Sequence, residues 1–323
     1  MICKPCYLAL SEQESQTLFH SLNPANQHQP RPLKRILWIV GGIVLTAFAS
    51  LHLIAAYFHL QDDSSRLKDA THLTTRDGFA IHWMKKVAPG TGRLQLVFIH
   101  GSPGGAGAWR EQFLKPFPGA DLIAFDRPGF GKSKRLDGTP HLQDQVNALI
   151  SLLAQTGNRR VLLIGHSYGS PIALLAAIEH PEKIAGVLLI GGDVDPMQEK
   201  PFLVQYLFRW PLTSWLLPSG ISQSNREMLT ARSDLTELQK LLPNLAVPVV
   251  MLHGTHDPVV PVENVGWLER QLAGLGKSAL FAKIMIPNAN HFIPWEHPRE
   301  VEQAIQLLDQ MVSARERASQ KSP

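Results

Sequence analysis

The residues best suited to chemistry lie in one short glycine-flanked segment, G-H-S-Y-G at Gly165–Gly169. This segment follows the apolar run Val161–Ile164 and precedes the helical pattern of residues 170–179. Glycines at both ends allow a sharp turn between strand and helix, which lifts the central Ser167 hydroxyl above the sheet. The amides at the start of the helix then face any negative charge that develops there. Ser167 is therefore predicted to be a nucleophile.

A serine hydroxyl reacts slowly until a base removes its proton, and the base requires a carboxylate to hold it in the correct tautomer. Asp257 follows the apolar run that ends at Leu252, and His291 follows the run that ends at Ile286. Loops after parallel strands open at one edge of a sheet, so these side chains are expected to converge near the nucleophile. We predict His291 as the base and Asp257 as the acid.

Two other carboxylates are alternatives for the acid. Asp193 and Asp195 follow the apolar run that ends at Ile190, whose loop opens at the same predicted edge of the sheet. Some hydrolases place the acid in that loop. The order serine, acid, histidine along the chain favours Asp257.

A glycine-rich turn, H-G-S-P-G-G at residues 100–105, follows the apolar run Leu94–Ile99. Such a turn at a strand end can present a backbone amide to an oxyanion, and we assign the amide of Ser102 to this role. The amide of Tyr168, directly after the nucleophile, is its predicted partner. No Gly-Lys-Ser/Thr follows the turn, which argues against a nucleotide-phosphate site.

The other histidines have weaker assignments. His166 is expected to point away from the reacting face, although it adjoins the nucleophile in sequence. His253 and His256 are candidates to line the site, and His297 is expected at the start of the last helix.

The elements that position these residues follow from hydrophobic periodicity. Short apolar runs alternate with helical stripes, such as Leu142–Leu153 and Val301–Val312, and this alternation indicates a parallel sheet covered by helices on both faces. A long stretch rich in Trp, Phe and Leu interrupts the alternation, and we expect it to form a helical cap at about residues 195–245. The folded domain is expected to span residues 71–314, followed by a polar tail at 315–323.

The N-terminal region is dominated by one apolar segment at residues 36–58, in which His52 is the only readily ionisable side chain. Twenty-three residues of helix extend about 34 Å, which exceeds the roughly 30 Å core of a bilayer. We therefore predict a transmembrane anchor, preceded by a polar cytoplasmic tail at residues 1–35 and followed by a linker at 59–70. Arg31, Lys34 and Arg35 place the N-terminus in the cytoplasm and the catalytic domain outside it.

A second interpretation of this segment is a cleaved signal peptide, because the A-x-A pattern Ala47–Ala49 follows a shorter apolar stretch. The mature chain would then be secreted or periplasmic. A buried core helix is less well supported, since the segment has no polar face.

Charge and cysteine content exclude other classes. The formal net charge of +4 is small for 323 residues, and the short basic clusters form no stripe with interleaved aromatic residues, so we expect no nucleic-acid partner. The two cysteines, Cys3 and Cys6, lie in the N-terminal tail without the strand and helix that a redox Cys-x-x-Cys site requires.

Five motifs together resemble the α/β-hydrolase fold family. They are H-G-S-P-G-G, D-R-P-G-F-G-K-S at Asp126–Ser133, G-H-S-Y-G, H-G-T-H-D-P and N-A-N-H-F, in family order. The resemblance implies an α/β fold with an eight-stranded, mostly parallel sheet and a helical cap after the sixth strand. It also implies acyl transfer by Ser167, Asp257 and His291 without a metal or organic cofactor. In this family the segment Asp126–Ser133 is structural.

Three functions remain open. The leading expectation is a carboxylic-ester hydrolase that acts on a small, apolar substrate, as the aromatic cap indicates. Serine at position 167 argues against haloalkane dehalogenase and epoxide hydrolase activity, for which the family uses aspartate. A proline-iminopeptidase-like enzyme, or another amide or C–C bond hydrolase, uses the same triad. The third function is a catalytically silent, membrane-anchored binding protein. The sequence predicts no oligomeric state.

Overall fold

The computed structural model describes residues 32–61, 70–76, 78–89, 94–115, 117–134, 140–157, 159–200, 203–214 and 217–320. The chain divides into two compact units, Met1–Leu51 and His52–Pro323. The predicted cytoplasmic tail lies outside the described residues up to position 31, as do Cys3, Cys6 and positions 62–69 of the predicted linker.

Eight strands form one sheet, in the order β1-β2-β4-β3-β5-β6-β7-β8. They are β1 (Ala70–Arg76), β2 (Phe79–Lys86), β3 (Leu94–Ile99), β4 (Ala120–Phe125), β5 (Arg160–His166), β6 (Ile184–Ile190), β7 (Val249–Gly254) and β8 (Phe281–Ile286). Strand β2 pairs antiparallel with both of its neighbours, and the other pairs are parallel. The predicted eight-stranded, mostly parallel sheet is confirmed.

The helices from residue 110 onward pack on the two faces of the sheet or lie in the segment between β6 and β7. They are α2 (Arg110–Leu114), α3 (Leu142–Leu153), α4 (Gly169–Glu179), α5 (Leu203–Leu207), α6 (Pro211–Ser214), α7 (Ser219–Leu241), α8 (Glu263–Gly274), α9 (Ile293–Glu296) and α10 (Pro298–Ser319). Single turns of 3₁₀-helix lie at Ala106–Trp109, Leu242–Asn244 and Ser278–Leu280.

Side chains of the central strands alternate between two cores. In β3, Val97 and Ile99 pack into a cluster with α3, α4 and α8, whereas Leu96 and Phe98 pack into a second cluster with α10. Successive residues of a strand point to opposite faces, so a strand buried on both sides must be apolar throughout. This explains why the strands are continuous apolar runs in the sequence.

Three helices, α5 to α7, occupy the segment between β6 and β7 where a cap is predicted. Helix α7 contacts α4, which begins directly after the nucleophile turn. The cap segment is thus connected to the element that carries Ser167.

Helix α10 extends to Ser319, whereas a polar tail was predicted from residue 315. Arg160, at the start of β5, forms ion pairs with Asp309 and Glu316 of this helix. These contacts give the polar end of α10 partners on the sheet, which hydrophobic periodicity does not reveal.

The N-terminal apolar segment forms helix α1, Pro32–Gln61. Within the described residues, no helix is both long and apolar enough to cross a membrane. The prediction of a helix at residues 36–58 is correct. The prediction that this helix spans a membrane is not supported.

Candidate active site

Ser167 occupies a tight turn between β5 and α4, with a backbone φ of +52°. Non-glycine residues rarely adopt this left-handed conformation, and where they do the surrounding structure must hold it in place. The Ser167 amide donates to the carbonyl of Ile190 at 2.9 Å, and the Ser167 carbonyl accepts from the amide of Ser170 at 2.9 Å. These bonds fix the strained residue between two strand ends and the first turn of the helix.

The glycines of this turn are required by close backbone packing. A Cβ atom at Gly165 would lie 2.3 Å from the carbonyl oxygen of Gly169, and one at Gly169 would lie 2.3 Å from that of Ile99. No side chain fits at either position. The G-x-S-x-G spacing is thus the spacing that lets helix α4 start against the neighbouring strand.

Asp257 and His291 form a hydrogen-bonded pair in the loops after β7 and β8. His291 Nδ1 lies 2.7 Å from Asp257 Oδ2, and the carboxylate can only accept, so this nitrogen carries the proton. Asp257 Oδ1 accepts from the amides of Val259 and Val260 at 2.8 and 2.9 Å. With the carboxylate held on both oxygens, His291 Nε2 is left as the acceptor.

The environment of Asp257 favours its ionised form. Burial acts to raise the pKa of this carboxyl, but the hydrogen bond and charge of His291, together with the two amides, outweigh it and lower the pKa. A permanent carboxylate is what a protonated imidazole requires as its partner.

Among the described residues, Asp257 is the carboxylate that is hydrogen-bonded to His291, and neither alternative acid is. Asp195 accepts from the amide of Met197 at 2.9 Å, and burial together with a hydrogen bond to Glu199 raises the pKa of Asp193 well above its usual value. Both therefore organise the loop after β6. The structure places Asp257, not Asp193 or Asp195, on the imidazole.

Ser167 and His291 lie on either side of the end of β6. Ser167 is bonded to Ile190, and a Cβ atom at the next residue, Gly191, would lie 3.2 Å from Nδ1 of His291. No hydrogen bond joins the Ser167 hydroxyl to His291 among the described residues. In hydrolases without substrate this bond is often long and shortens only in the reacting complex.

Two amides are available for an oxyanion. Neither Ser102 nor Tyr168 donates its backbone N–H to an acceptor within the part of the chain that the structure describes. The loop of Ser102 lies against the nucleophile, because a Cβ atom at Gly101 would be 2.9 Å from Cβ of Ser167. Unpartnered amides next to the nucleophile are one requirement of an oxyanion hole.

Of the other histidines, His166 differs from expectation. The ring of His166 does not point away from the site, since its centroid lies 4.8 Å from that of His291. His253 is buried, with Nε2 3.1 Å from the carbonyl of Val260 and 3.7 Å from Asp257 Oδ2. His256 is exposed and contacts Thr255. His297 precedes the first residue of α10, as predicted.

Sequence reasoning missed a buried ion pair beside the Ser102 loop. Arg127 Nη1 and Nη2 lie 2.6 and 3.1 Å from the carboxylate oxygens of Glu227, and both side chains are fully buried. Arg127 belongs to the motif D-R-P-G-F-G-K-S, for which the family resemblance implies only a structural role. Glu227 lies on the polar helix α7, and no motif around it in the sequence indicates a functional role.

The preceding residue, Asp126, organises the loops around this pair. Its carboxylate accepts from the amides of Ala106 and Lys132 at 2.8 and 2.9 Å and lies 2.8 Å from Nδ1 of His82. The carboxylate is enclosed so tightly that a Cβ atom at Gly131 would be 2.2 Å from it. The Asp126–Ser133 segment thus has the structural role that the resemblance implies.

No group of three or more metal-ligating side chains that could hold an ion is found among the described residues. A cavity of about 840 Å³ is lined by Arg160, Ile184 and Pro248, at the amino ends of the strands. It lies at the opposite edge of the sheet from Ser167.

Comparison with known proteins gives one family and a consistent fold. The profile described as "Alpha/beta hydrolase family" matches residues 96–304. A 2-hydroxy-6-oxononadienedioate/2-hydroxy-6-oxononatrienedioate hydrolase of Paraburkholderia phymatum is 27% identical over 260 residues, which cover 68% of this chain and 88% of that protein.

Two solved structures share the fold of this chain at low sequence identity. A bacterial membrane phospholipase A superposes with a TM-score of 0.57 at 21% identity, over 87% of this chain and 97% of that one. A haloalkane dehalogenase from Bradyrhizobium elkanii gives 0.60 at 16% identity, over 76% of this chain and 99% of the other. These neighbours catalyse different reactions on one fold, so the chemistry must be argued from the site.

Proposed function

Because the chain belongs to the α/β-hydrolase family, we propose that it is a serine hydrolase that cleaves carboxylic esters through an acyl-enzyme on Ser167. The observation that supports this most directly is the 2.7 Å contact between His291 Nδ1 and Asp257 Oδ2. Because Nδ1–H is the hydrogen-bond donor to the carboxylate, Nε2 is the nitrogen of the neutral ring that can accept the proton of Ser167.

In the first half of the proposed reaction, Ser167 Oγ attacks the ester carbonyl while His291 Nε2 takes the hydroxyl proton. The amides of Ser102 and Tyr168 donate to the oxyanion. The C–O bond then breaks, and His291 returns the proton to the leaving alcohol. Asp257 stays ionised and stabilises the imidazolium.

In the second half, water takes the place of the alcohol. His291 accepts a proton from this water as its oxygen attacks the acyl carbon, and the same two amides stabilise the second oxyanion. The bond to Ser167 Oγ then breaks, and the proton returns to that oxygen. The products are a carboxylic acid and the free enzyme, so no metal or organic cofactor is required.

Labelling by a fluorophosphonate probe tests the nucleophile. The purified full-length chain should react with the probe and hydrolyse short p-nitrophenyl esters, and Ser167→Ala should do neither. Ser233→Ala is the matched control, because Ser233 is an exposed serine on helix α7. A wild-type chain that is folded but neither labelled nor active would refute the proposal and support the silent binding protein.

A second candidate function is hydrolysis of a C–C bond by the same residues. It is favoured by the similarity to the P. phymatum hydrolase, whose name describes an oxo-dienedioate substrate. A 2-hydroxy-6-oxo-dienoate and a p-nitrophenyl ester should be compared at equal enzyme concentration. A much higher kcat/KM for the dienoate would replace the ester proposal and keep Ser167 as the reacting residue.

A proline-iminopeptidase-like activity is less well supported. Such an enzyme requires an acidic group in the cap to hold the substrate amine, and the buried Glu227 of α7 is already paired with Arg127. Prolyl-amide substrates in the same screen would test this alternative.

The substrate is proposed to be small and apolar. The cap helices α5 and α6 expose large apolar side chains in and beside them, with Leu203 89% and Trp210 70% exposed. We expect p-nitrophenyl esters of longer acyl chains to have a lower KM than the acetate. An equal KM across acyl lengths would contradict an apolar acyl site.

We further propose that residues 36–58 attach the chain to a membrane, with the N-terminus in the cytoplasm and the catalytic domain outside. The support is the apolar sequence and the preceding positive charges. The full chain should sediment with membranes after alkaline carbonate extraction, and its N-terminal residue 1 should remain present. Release into the soluble fraction with loss of the N-terminus would instead support signal cleavage.

A further inference from the structure

Glu227 lies outside the proposed triad, and both of its carboxylate oxygens accept hydrogen bonds. Oε1 accepts from Arg127 Nη1 at 2.6 Å and from Gln145 Nε2 at 3.2 Å. Oε2 accepts from Arg127 Nη2 at 3.1 Å and from the Ser102 hydroxyl at 2.5 Å. One carboxylate of helix α7 therefore joins the loops after β3 and β4 to helix α3.

Arg127 transmits this arrangement to the backbone of the Ser102 loop. Its Nε donates to the carbonyl of His100 at 3.0 Å, and its Nη2 donates to the carbonyl of Gly101 at 2.9 Å. The Gly101 carbonyl belongs to the same peptide group as the N–H of Ser102. Because a peptide group is planar and this one is trans, fixing the oxygen also fixes the direction of the N–H.

His100 holds the same peptide group from a second direction. Its Nδ1 lies 2.7 Å from the Gly101 carbonyl, and its Nε2 accepts from the Arg127 amide at 2.9 Å. A carbonyl can only accept and an amide N–H can only donate, so the neutral tautomer with a proton on Nδ1 is required. Burial, with the nearby Arg127 charge, lowers the pKa of His100 to about 3, which keeps the ring neutral.

Two donors on the Gly101 carbonyl also polarise the peptide group. Hydrogen bonding to a carbonyl oxygen strengthens the N–H of the same amide as a donor, because linked hydrogen bonds polarise one another. An oxyanion at this N–H therefore benefits from the Arg127 charge, which Glu227 keeps aligned. Without the carboxylate, the guanidinium would lose two of its four bonds in this network.

We infer that Glu227 is a positioning residue that links cap helix α7 to the oxyanion hole by orienting the Gly101–Ser102 peptide group through Arg127 and the Ser102 hydroxyl. This inference rests on the proposed function, since it assigns a role in stabilising an oxyanion.

The test is the variant Glu227→Gln in the full-length chain, with Glu237→Gln as matched control. Glu237 lies on the same helix with its side chain 69% exposed. We expect kcat for a p-nitrophenyl ester to fall about 10- to 100-fold, less than the roughly 100- to 1000-fold cost of losing one oxyanion donor outright, with KM changed less than about twofold. The inhibition constant of a trifluoromethyl ketone, which forms an oxyanion in the site, should rise by the same factor as kcat/KM falls. Glu237→Gln should match the wild type.

Ser102→Ala keeps the test decisive if Glu227→Gln fails to fold. This variant removes only the hydroxyl bond to Glu227 and should lower kcat several-fold, with a parallel change in the inhibition constant. Where both variants fold, the double variant should lose less than the product of the two single effects, because both act on one network.

Other outcomes would overturn the inference. A normal kcat with a lowered melting temperature would make Glu227 a purely structural ion-pair partner. A raised KM with unchanged kcat would make it a substrate-binding residue. If the loss in the double variant equals the product of the two single losses, Glu227 and Ser102 act independently and do not share one network. In each of these cases active wild-type enzyme leaves the proposed function intact, whereas an inactive, unlabelled wild type would refute both.

Discussion

The ring of His166 lies against the ring of His291, with their centroids 4.8 Å apart, and His166 Nε2 donates to the His291 carbonyl at 3.0 Å. The residue before the proposed nucleophile thus supports the proposed base, 125 positions further along the chain. Trp295 meets the same His166 ring edge-on at 5.3 Å. The imidazole of His291 is therefore held by Asp257 on one side and by a buried neutral ring on another.

His166 should make the protein less stable in acid. Burial, with the adjacent His291, lowers the pKa of His166 from 6.5 to about 3 in the folded chain. Below pH 6.5 the unfolded chain therefore binds a proton that the folded chain does not, and stability falls as the pH drops towards 3. His100 contributes in the same direction.

We predict that His166→Gln reduces this pH dependence. Each proton taken up only by the unfolded chain lowers the free energy of unfolding by about 1.4 kcal/mol per pH unit, so the slope should become shallower by up to that amount. Urea unfolding between about pH 6 and about pH 4 measures it. His256→Gln, at an exposed ring, should leave the slope unchanged, and an unchanged slope in His166→Gln would show that this ring titrates normally.

Asp257→Asn should remove most of the activity without unfolding the chain. An amide in place of the carboxylate can stabilise the wrong tautomer of His291, and the corresponding change in a serine-protease triad lowers kcat about 10⁴-fold. The kcat/KM for a short p-nitrophenyl ester measures the effect. Asp195→Asn, in the loop of the alternative acids, should retain at least about a third of the wild-type value, within the small effect expected of a group that does not touch the triad.

Gly191→Ala should disturb the imidazole directly. The added Cβ atom would lie 3.2 and 3.3 Å from Nδ1 and Cε1 of His291 and 3.4 Å from Asp257 Oδ2. Because small displacements of a reacting group cost up to about 100-fold in rate, we expect kcat/KM to fall at least about tenfold.

Gly157→Ala is the control for backbone strain, because it introduces alanine at a positive φ without a contact to His291. Gly157 has a φ of +95°, and apart from its chain neighbours no described atom lies within 4 Å of an added Cβ, whereas Gly191 has a φ of +51°. Both variants should lower the melting temperature, since alanine is strained at positive φ. Equal activity losses in the two variants would contradict a specific role of the His291 contact.

Asp126→Asn should destabilise the fold. Within the described residues the carboxylate has three partners, of which two are backbone amides, and an amide side chain would turn its NH₂ towards one of the donors. We expect a loss of roughly 2–4 kcal/mol in the free energy of unfolding, as for breaking a buried charged network. Denaturant unfolding near neutral pH measures this loss, with Glu237→Gln as the exposed control. A change below about 0.5 kcal/mol would contradict it.

Several parts of this protein were predictable because they depend on neighbours in sequence. The apolar runs that become β3 to β7 are buried on both faces along nearly their whole length, and such strands must be apolar throughout. The turn at Ser167 was recognisable because Gly165 and Gly169 are needed by backbone contacts within that turn and with the adjacent strand. Asp257 and His291 were proposed on topology alone, since the loops after parallel strands meet at one edge.

The remaining features depend on which distant segments pack together. The partner of Ser102 is Glu227, 125 positions away, and the end of α10 is held by Arg160 from the start of β5. The orientation of His166 towards His291 likewise depends on the packing of two distant segments. Periodicity and motif spacing describe the chain over about one element at a time, whereas the pairing of a buried charge is decided by how separate elements come together. The sequence therefore determined the sheet and the residues proposed for the chemistry, and only the tertiary structure decided which side chains hold them in place.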